Sequence, residues 1–111
     1  GGITEYLKVS ALAQSNFIPI INHVWGSALS IAVNLHLLTS MPDMPGGLFP
    51  SKPMLEFDTT SKNKFITELA EEKFSILDQV KNNNGFAKPL EGIGIGINPS
   101  KDFIKKYEVS D

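Results

Sequence analysis

The segment from Ile18 to Ala28 constrains the fold of this chain more than any other stretch. Its first part, Ile18–Val24, is mostly apolar, and Pro19 favours extended backbone at the residue before it. Trp25-Gly26 follow as a tight turn, and Ser27 is a good N-cap for a helix. A buried strand that leads through a short turn into a helix predicts α/β winding with parallel strands.

His23 lies at the carboxyl end of this predicted strand. Parallel α/β proteins place catalytic groups at that end of their strands. Histidine also exchanges protons readily near neutral pH, which suits general acid or base chemistry. The segment alone leaves two interpretations open, a catalytic His23 and a hydrogen-bonded structural one.

Helical patterns flank the predicted strand on both sides. Residues 5–15 carry apolar side chains at helical spacing, and Thr4 is placed to cap them. Ala28–Thr39 is apolar on nearly all sides, which predicts a helix buried between a sheet and another helix. His36 lies within this second helix, far from His23, and we interpret it as structural.

A second strand is predicted at Met54–Asp58, after an irregular connection of residues 40–53 that is rich in proline and glycine. Glu56 lies near the carboxyl end of that strand. Because carboxyl ends of parallel strands meet at one edge of a sheet, Glu56 is a candidate to share a site with His23. An exposed acid at the end of a strand is the alternative.

The remaining third of the chain contains weaker patterns. A short helix is predicted over residues 64–72 with Asn63 as its cap, followed by a hairpin over residues 74–88 around an Asn-Gly turn. Gly92–Ile97 alternates glycine with isoleucine, which indicates an extended segment with close backbone approach rather than a dinucleotide loop. A last helix is predicted from Asn98-Pro99 onwards.

Composition excludes several classes of function. The chain has no cysteine, so disulfides, zinc–thiolate sites and thiol nucleophiles are all absent, and we expect a cytoplasmic location. The net charge is −2 without a long run of one sign, which predicts no nucleic-acid partner. No apolar run approaches the ~20 residues that span a bilayer, so we expect no membrane partner.

Four segments in fixed order resemble the C-terminal part of the enolase superfamily, specifically its mandelate racemase and muconate-lactonising enzyme group. These segments are Gly1–Glu5, Ile18–Ser27, Leu55–Asp58 and Pro89–Gly94. The resemblance extends over essentially the whole chain, and Glu91 departs from it where the family usually has a glycine.

The resemblance implies a fold. Family members have a capping domain and a modified (β/α)8 (TIM-type) barrel, so Ile18–Val24 and Met54–Phe57 would be the seventh and eighth barrel strands. The fold class we expect is therefore α/β, a C-terminal barrel fragment with about two strands, their helices, a C-terminal hairpin and a short helix. Residues 1–73 would form the partial barrel, and residues 74–111 would return towards the missing capping domain.

The resemblance also implies roles for four residues. His23 matches the general base, and Glu56 matches the acid that donates a hydrogen bond to the enediolate. Trp25 and Ser27 would line the substrate pocket. The family's Mg²⁺ is held by three acids on earlier strands, so its ligands are expected to lie outside this chain.

These roles imply a longer enzyme that removes the proton α to a carboxylate, with an acid-sugar dehydratase as the leading hypothesis. A racemase or epimerase of the same family, and a non-enzymatic α/β scaffold, are the alternatives. The chain has 111 residues and opens at Gly1-Gly2 without a methionine, whereas a barrel needs ~250 residues. We therefore expect a fragment that is inactive alone and that self-associates as a homo-oligomer, because two strands cannot close a barrel.

Overall fold

The computed structural model describes residues 1–43, 51–60, 62–71 and 75–109. Half of the predicted irregular connection, residues 44–50, and the Phe74 end of the predicted hairpin lie outside the described residues. The helix–strand–helix–strand order predicted for the first half is confirmed. The described elements are α1 (Gly2–Ser15), β1 (Ile21–Val24), α2 (Ala28–Thr39), β2 (Met54–Phe57), α3 (Lys64–Thr67), α4 (Ile76–Asn82) and α5 (Lys101–Tyr107).

β1 and β2 pair in parallel, from Ile21 opposite Met54 at one end to Val24 opposite Phe57 at the other. Side chains alternate between the two faces of a strand, and in β1 the second and fourth residues are buried while the first and third are exposed. The sequence predicted a strand covered on both faces. Within the described residues, the elements packed on the sheet cover one face and leave the other open.

α2 supplies most of the core beneath the covered face. Its side chains at Ala28, Ile31, Ala32 and Leu35 are at most 5% exposed, and they pack against Val24 of β1. Burying a large aliphatic side chain contributes about 1.5–3 kcal/mol, so α2 fixes the position of the sheet above it. This confirms the buried helix predicted from the apolar pattern.

β1 begins three residues later than predicted because α1 ends in a closed turn. The N–H of Ile18 donates to the Ala13 carbonyl at 2.9 Å, and Phe17 takes the left-handed conformation with φ of 57°. This is the Schellman arrangement that terminates many helices. At the other end, α1 begins at Gly2 with Gly1 as its cap, so the predicted cap at Thr4 is wrong.

The hairpin predicted over residues 74–88 is also wrong, because α4 occupies its first part. The Ser75 hydroxyl accepts the N–H of Asp78 at 3.1 Å, a capping contact that favours a helix. Asn84 and Gly85 have positive φ values, and the N–H of Gly85 donates to the Val80 carbonyl at 2.9 Å. An Asn-Gly pair suits a helix terminus as well as a hairpin turn, since both need left-handed residues.

The C-terminal part returns to the core through the glycine–isoleucine segment. This segment consists of bends and turns rather than an extended stretch, and its Ile97 is buried in the core cluster. Gly96 has φ of 78°, and a Cβ at this position would collide with the carbonyl oxygen of Leu90. The predicted close backbone approach is therefore confirmed at Gly96.

Two short helices, α3 and α5, complete the fold. Asn63 caps α3 as predicted by accepting the N–H of Phe65 at 3.0 Å, although α3 ends at Thr67, well before residue 72. α5 is capped by Ser100 rather than by Asn98. The two helices meet through aromatic rings, with the centroids of Phe65 and Phe103 5.3 Å apart.

Candidate active site

The structure brings His23 and Glu56 together on the open face of the sheet. They are register partners on β1 and β2, and His23 Nδ1 lies 3.5 Å from Glu56 Oε2. Their side chains are 60% and 69% exposed. The pair therefore combines a proton-exchanging imidazole with a carboxylate at a solvent-accessible surface.

This geometry has a direct chemical consequence for the imidazole. A carboxylate beside Nδ1 favours the tautomer that carries its proton on that nitrogen. The lone pair then lies on Nε2, the ring nitrogen that is free to face a substrate. The separation of 3.5 Å exceeds an ordinary hydrogen bond, as is common for catalytic contacts before a substrate is bound.

Trp25 and Ser27, the predicted pocket residues, lie in the turn that follows β1. Trp25 is 69% exposed, so its indole is available for contact with a ligand. The Ser27 hydroxyl accepts the N–H of Ser30 at 3.4 Å as the cap of α2. Ser27 is thus the predicted helix cap, and its role in substrate binding stays a prediction.

Asn63 holds this turn against the element that follows β2. Its side-chain amide donates to the Gly26 carbonyl at 3.1 Å, while its carbonyl oxygen caps α3. The turn after β1 and the start of α3 are therefore tied by one side chain. The sequence pattern showed the capping role of Asn63 but gave no signal for this second contact.

Asp58, the second carboxylate after β2, is turned into its own loop. The backbone N–H of Thr60 donates to Asp58 Oδ1 at 2.8 Å, and this bond, together with one from the Thr60 hydroxyl, lowers the pKa of Asp58. The charge of this carboxylate is stabilised locally. Glu56 is therefore the carboxylate that lies beside His23 on the open face of the sheet, whereas Asp58 accepts hydrogen bonds within the loop that follows β2.

A line of polar side chains lies behind the site, on the covered side of β1. The Tyr6 hydroxyl donates to Asn22 Oδ1 at 3.1 Å, and the Asn22 amide donates to Asn34 Oδ1 at 2.8 Å. Asn34 in turn donates to the Ser30 carbonyl at 2.8 Å. These residues were not predicted from the sequence, although a polar Asn22 inside an apolar strand was a visible signal.

His36 lies away from the candidate site. Its Nε2 is 3.2 Å from the Ile95 carbonyl oxygen, which joins α2 to the C-terminal segment. This contact supports the structural interpretation of His36 and leaves His23 as the histidine at the sheet edge.

The described residues do not fit a resident Mg²⁺ site. Mg²⁺ is bound through carboxylate oxygens in near-octahedral geometry. Across the described ranges, no group of three or more histidine, cysteine, aspartate or glutamate side chains is placed to hold a metal ion. Glu56 is paired with His23, and Asp58 is bonded within its own loop.

Comparisons with known proteins identify the family to which the chain is similar. A family model described as enolase C-terminal domain-like matches residues 1–103. The D-galactarolactone cycloisomerase of Agrobacterium fabrum (strain C58 / ATCC 33970) is 30% identical over 111 residues, the whole of this chain and 28% of the relative. The chain thus spans little more than a quarter of that curated relative.

Two further findings bear on the fold and on membranes. The helices and the small parallel sheet are consistent with part of a (β/α)8 barrel, as the resemblance implied. In the part of the chain that the structure describes, no helix has the length and apolarity needed to cross a bilayer. The resemblance noted in the sequence is confirmed, and the chain belongs to the enolase C-terminal domain-like family.

Proposed function

We propose that this chain supplies two catalytic side chains to a longer enzyme that removes the proton α to the carboxylate of a sugar acid. The observation that supports this most is the His23–Glu56 pair. The two residues face each other at the carboxyl ends of adjacent parallel strands, on the face that the described helices leave open. That is where barrel enzymes carry out their chemistry.

In the proposed reaction, Nε2 of neutral His23 takes the α-proton, and the C–H electron pair moves into the carboxylate to form an enediolate. In the longer enzyme, where the closed site would exclude water, Glu56 would act in its protonated form and donate a hydrogen bond to the developing oxyanion. The enediolate electrons then form a double bond between the α- and β-carbons while the bond from the β-carbon to its hydroxyl breaks. The His23 imidazolium protonates the departing hydroxyl, which leaves as water. Proton transfer by one positioned side chain contributes about 10²–10⁴-fold to the rate.

Mg²⁺ remains an expectation for the longer enzyme, because the family resemblance implies it. The carboxylates described in this chain do not form a three-ligand set. Every step above is therefore assigned to His23 and Glu56. We expect the isolated chain to have no turnover, since the residues that the structure describes form a sheet of two strands, and two strands cannot close a barrel around the site.

The same proton abstraction supports a second outcome, isomerisation. The name of the curated relative describes a cycloisomerase that acts on D-galactarolactone, and this favours both a sugar-acid type of substrate and an isomerising reaction. Racemisation or epimerisation of a carboxylate would begin with the same step at His23. Dehydration differs from all of these because it releases water.

One experiment separates these outcomes. The longer enzyme is incubated in ²H₂O with Mg²⁺ and a panel of sugar acids and their lactones, and the products are followed by NMR and mass spectrometry. Dehydration gives a product lighter by one water, whereas isomerisation gives a product with the composition of the substrate except that solvent deuterium replaces a hydrogen on carbon. Absence of both α-proton exchange and turnover across the panel would contradict the proposal.

A non-enzymatic scaffold that associates with a second copy is the alternative from another class. It is favoured by exposed apolar side chains on the open sheet face and on α1, where Ile21, Met54 and Leu12 are 53%, 46% and 67% exposed. Two copies that face each other across the open side of the sheet would bury Ile21 and Met54. Sedimentation velocity of the 111-residue chain tests this, with a dimer expected and a monomer at all concentrations contradicting it.

A further inference from the structure

The register of β1 needs a determinant besides its apolar pattern. A slip of one residue would exchange the buried and exposed faces, and the burial of Val24 opposes it. A slip of two residues keeps every side chain on its own face. It would put Ile21 where His23 lies, opposite Glu56, and move His23 about 6.6 Å along the strand.

The polar contacts of Asn22 distinguish these two registers. Asn22 is 7% exposed and bonds both to Tyr6 of α1 and to Asn34 of α2. In the slipped register Ile20 would take this place, and its side chain has no polar atom. The side-chain oxygen of Asn34, which is half-buried, would then lose the hydrogen bond that it accepts from Asn22, and this disfavours the slipped register.

We propose that Asn22 is a positioning residue for His23. Its hydrogen bonds to Tyr6 and Asn34 select the one register of β1 in which His23 faces Glu56. Buried polar groups that fix register at some cost in stability are known from other folds. The importance of this register for catalysis rests on the proposed function of His23, whereas the register itself can be measured without any activity.

Because the chain has no cysteine, pairs of introduced cysteines report the register directly. His23→Cys with Glu56→Cys reports the native register, in which adjacent strands bring the Cα atoms to about 4.8 Å, within disulfide range. Ile21→Cys with Glu56→Cys reports the slipped register, since the native register separates these positions by about 8 Å, beyond that range. Each pair is oxidised under identical conditions and quantified by mass spectrometry.

Both cysteine pairs are introduced into the unaltered chain and into two altered backgrounds, each of which changes the polar contacts of Asn22. The first combines Asn22→Leu, Asn34→Leu and Tyr6→Phe, which removes the polar line without leaving an unpaired amide. The second exchanges two residues, Ile20→Asn with Asn22→Ile, so that the asparagine moves two positions upstream. Far-UV circular dichroism and the His36 ring signal in NMR verify that each variant is folded.

In the unaltered background we expect the native pair to form its disulfide at least tenfold faster than the slipped pair. We expect that ratio to fall at least tenfold in the first altered background and to reverse in the second. A ratio that stays native in the folded altered backgrounds would overturn the proposal and assign the register to the turn at Trp25-Gly26. If the exchanged variant does not fold, the first background decides alone. If neither background folds, Asn22 is required for folding itself and the positioning role is overturned.

Failure here and failure of the proposed function are distinguishable. The crosslinking ratio reports only where β1 lies against β2. A native register without Asn22 would leave His23 available as the base, and an inactive longer enzyme would leave the crosslinking result unchanged.

Discussion

His23 and Glu56 occupy facing positions on two parallel strands, and their side chains meet at 3.5 Å on the exposed face of the sheet. Exposed ion pairs contribute only about 0.2–1 kcal/mol, because water screens them and two side chains must be held still. The core beneath the sheet contains Ile31, which is fully buried. Burial there, rather than the exposed pair, holds the strands in place.

The first prediction follows from this difference. His23→Gln, Glu56→Gln and the double variant should give a coupling energy below about 1 kcal/mol in urea unfolding. Ile31→Ala, the contrasting core variant, should cost about 2–5 kcal/mol because it leaves a cavity. A coupling energy above about 2 kcal/mol would show that the pair is a structural element of the sheet.

The second prediction concerns the cap of α2. Ser27→Ala removes the hydroxyl that accepts the Ser30 N–H, and it should lower the free energy of unfolding by about 1 kcal/mol. Thr59→Ala, an exposed hydroxyl in the loop after β2, is the matched control and should change stability by less than about 0.5 kcal/mol. Equal losses for the two variants would contradict the capping role.

The third prediction separates backbone conformation from steric collision. Gly94 and Gly96 both have positive φ, but a Cβ at Gly94 meets open space whereas one at Gly96 meets the Leu90 carbonyl. Gly94→Ala should cost about 1–2 kcal/mol for the left-handed conformation alone. Gly96→Ala should cost about 1–3 kcal/mol more, because backbone atoms must shift. Thermal unfolding of the two variants side by side checks the order, and equal stabilities would contradict it.

Local signals in the sequence predicted the elements that bear on the site. The bounds of α2 and its cap at Ser27 were predicted correctly, because the apolar run and the capping residue both act within a few positions. β2 was predicted for the same reason. The open edges and the open face of the sheet follow from which other elements are present, and a local pattern cannot show this.

The errors come from signals that have two structural meanings. Asn83-Asn84-Gly85 suits a hairpin turn and a helix terminus equally, and the cap at Ser75 decides for α4. The predicted strand began too early because Phe17 takes the left-handed conformation that ends α1. That conformation usually favours glycine, and the sequence has no glycine at this position. Contacts between distant residues, such as Asn22 with Asn34, became visible only in the folded chain.

The fourth prediction concerns metal binding by the isolated chain. Since the described carboxylates form no three-ligand group, isothermal titration with Mg²⁺ should give no stoichiometric site in the micromolar range. Glu56→Gln should give the same weak, unsaturable signal. A micromolar site at one Mg²⁺ per chain that disappears in Glu56→Gln would contradict this account and place the metal at the His23–Glu56 pair.

The fifth prediction tests the assignment of His23 as the base in the longer enzyme. His23→Asn should reduce both turnover and exchange of the substrate α-proton with ²H₂O by about 10²–10⁴-fold, because His23 is the group proposed to take that proton. His36→Gln is the matched histidine control, since His36 contacts the Ile95 carbonyl and should leave exchange within a few fold of the parent enzyme.

The most direct measurement of the central claim is the rate of α-proton exchange in these two variants, followed by NMR on the same substrate. We expect exchange to be lost in His23→Asn and retained in His36→Gln. Exchange that persists in a folded His23→Asn enzyme would contradict it, because the α-proton would then be removed by a group other than His23.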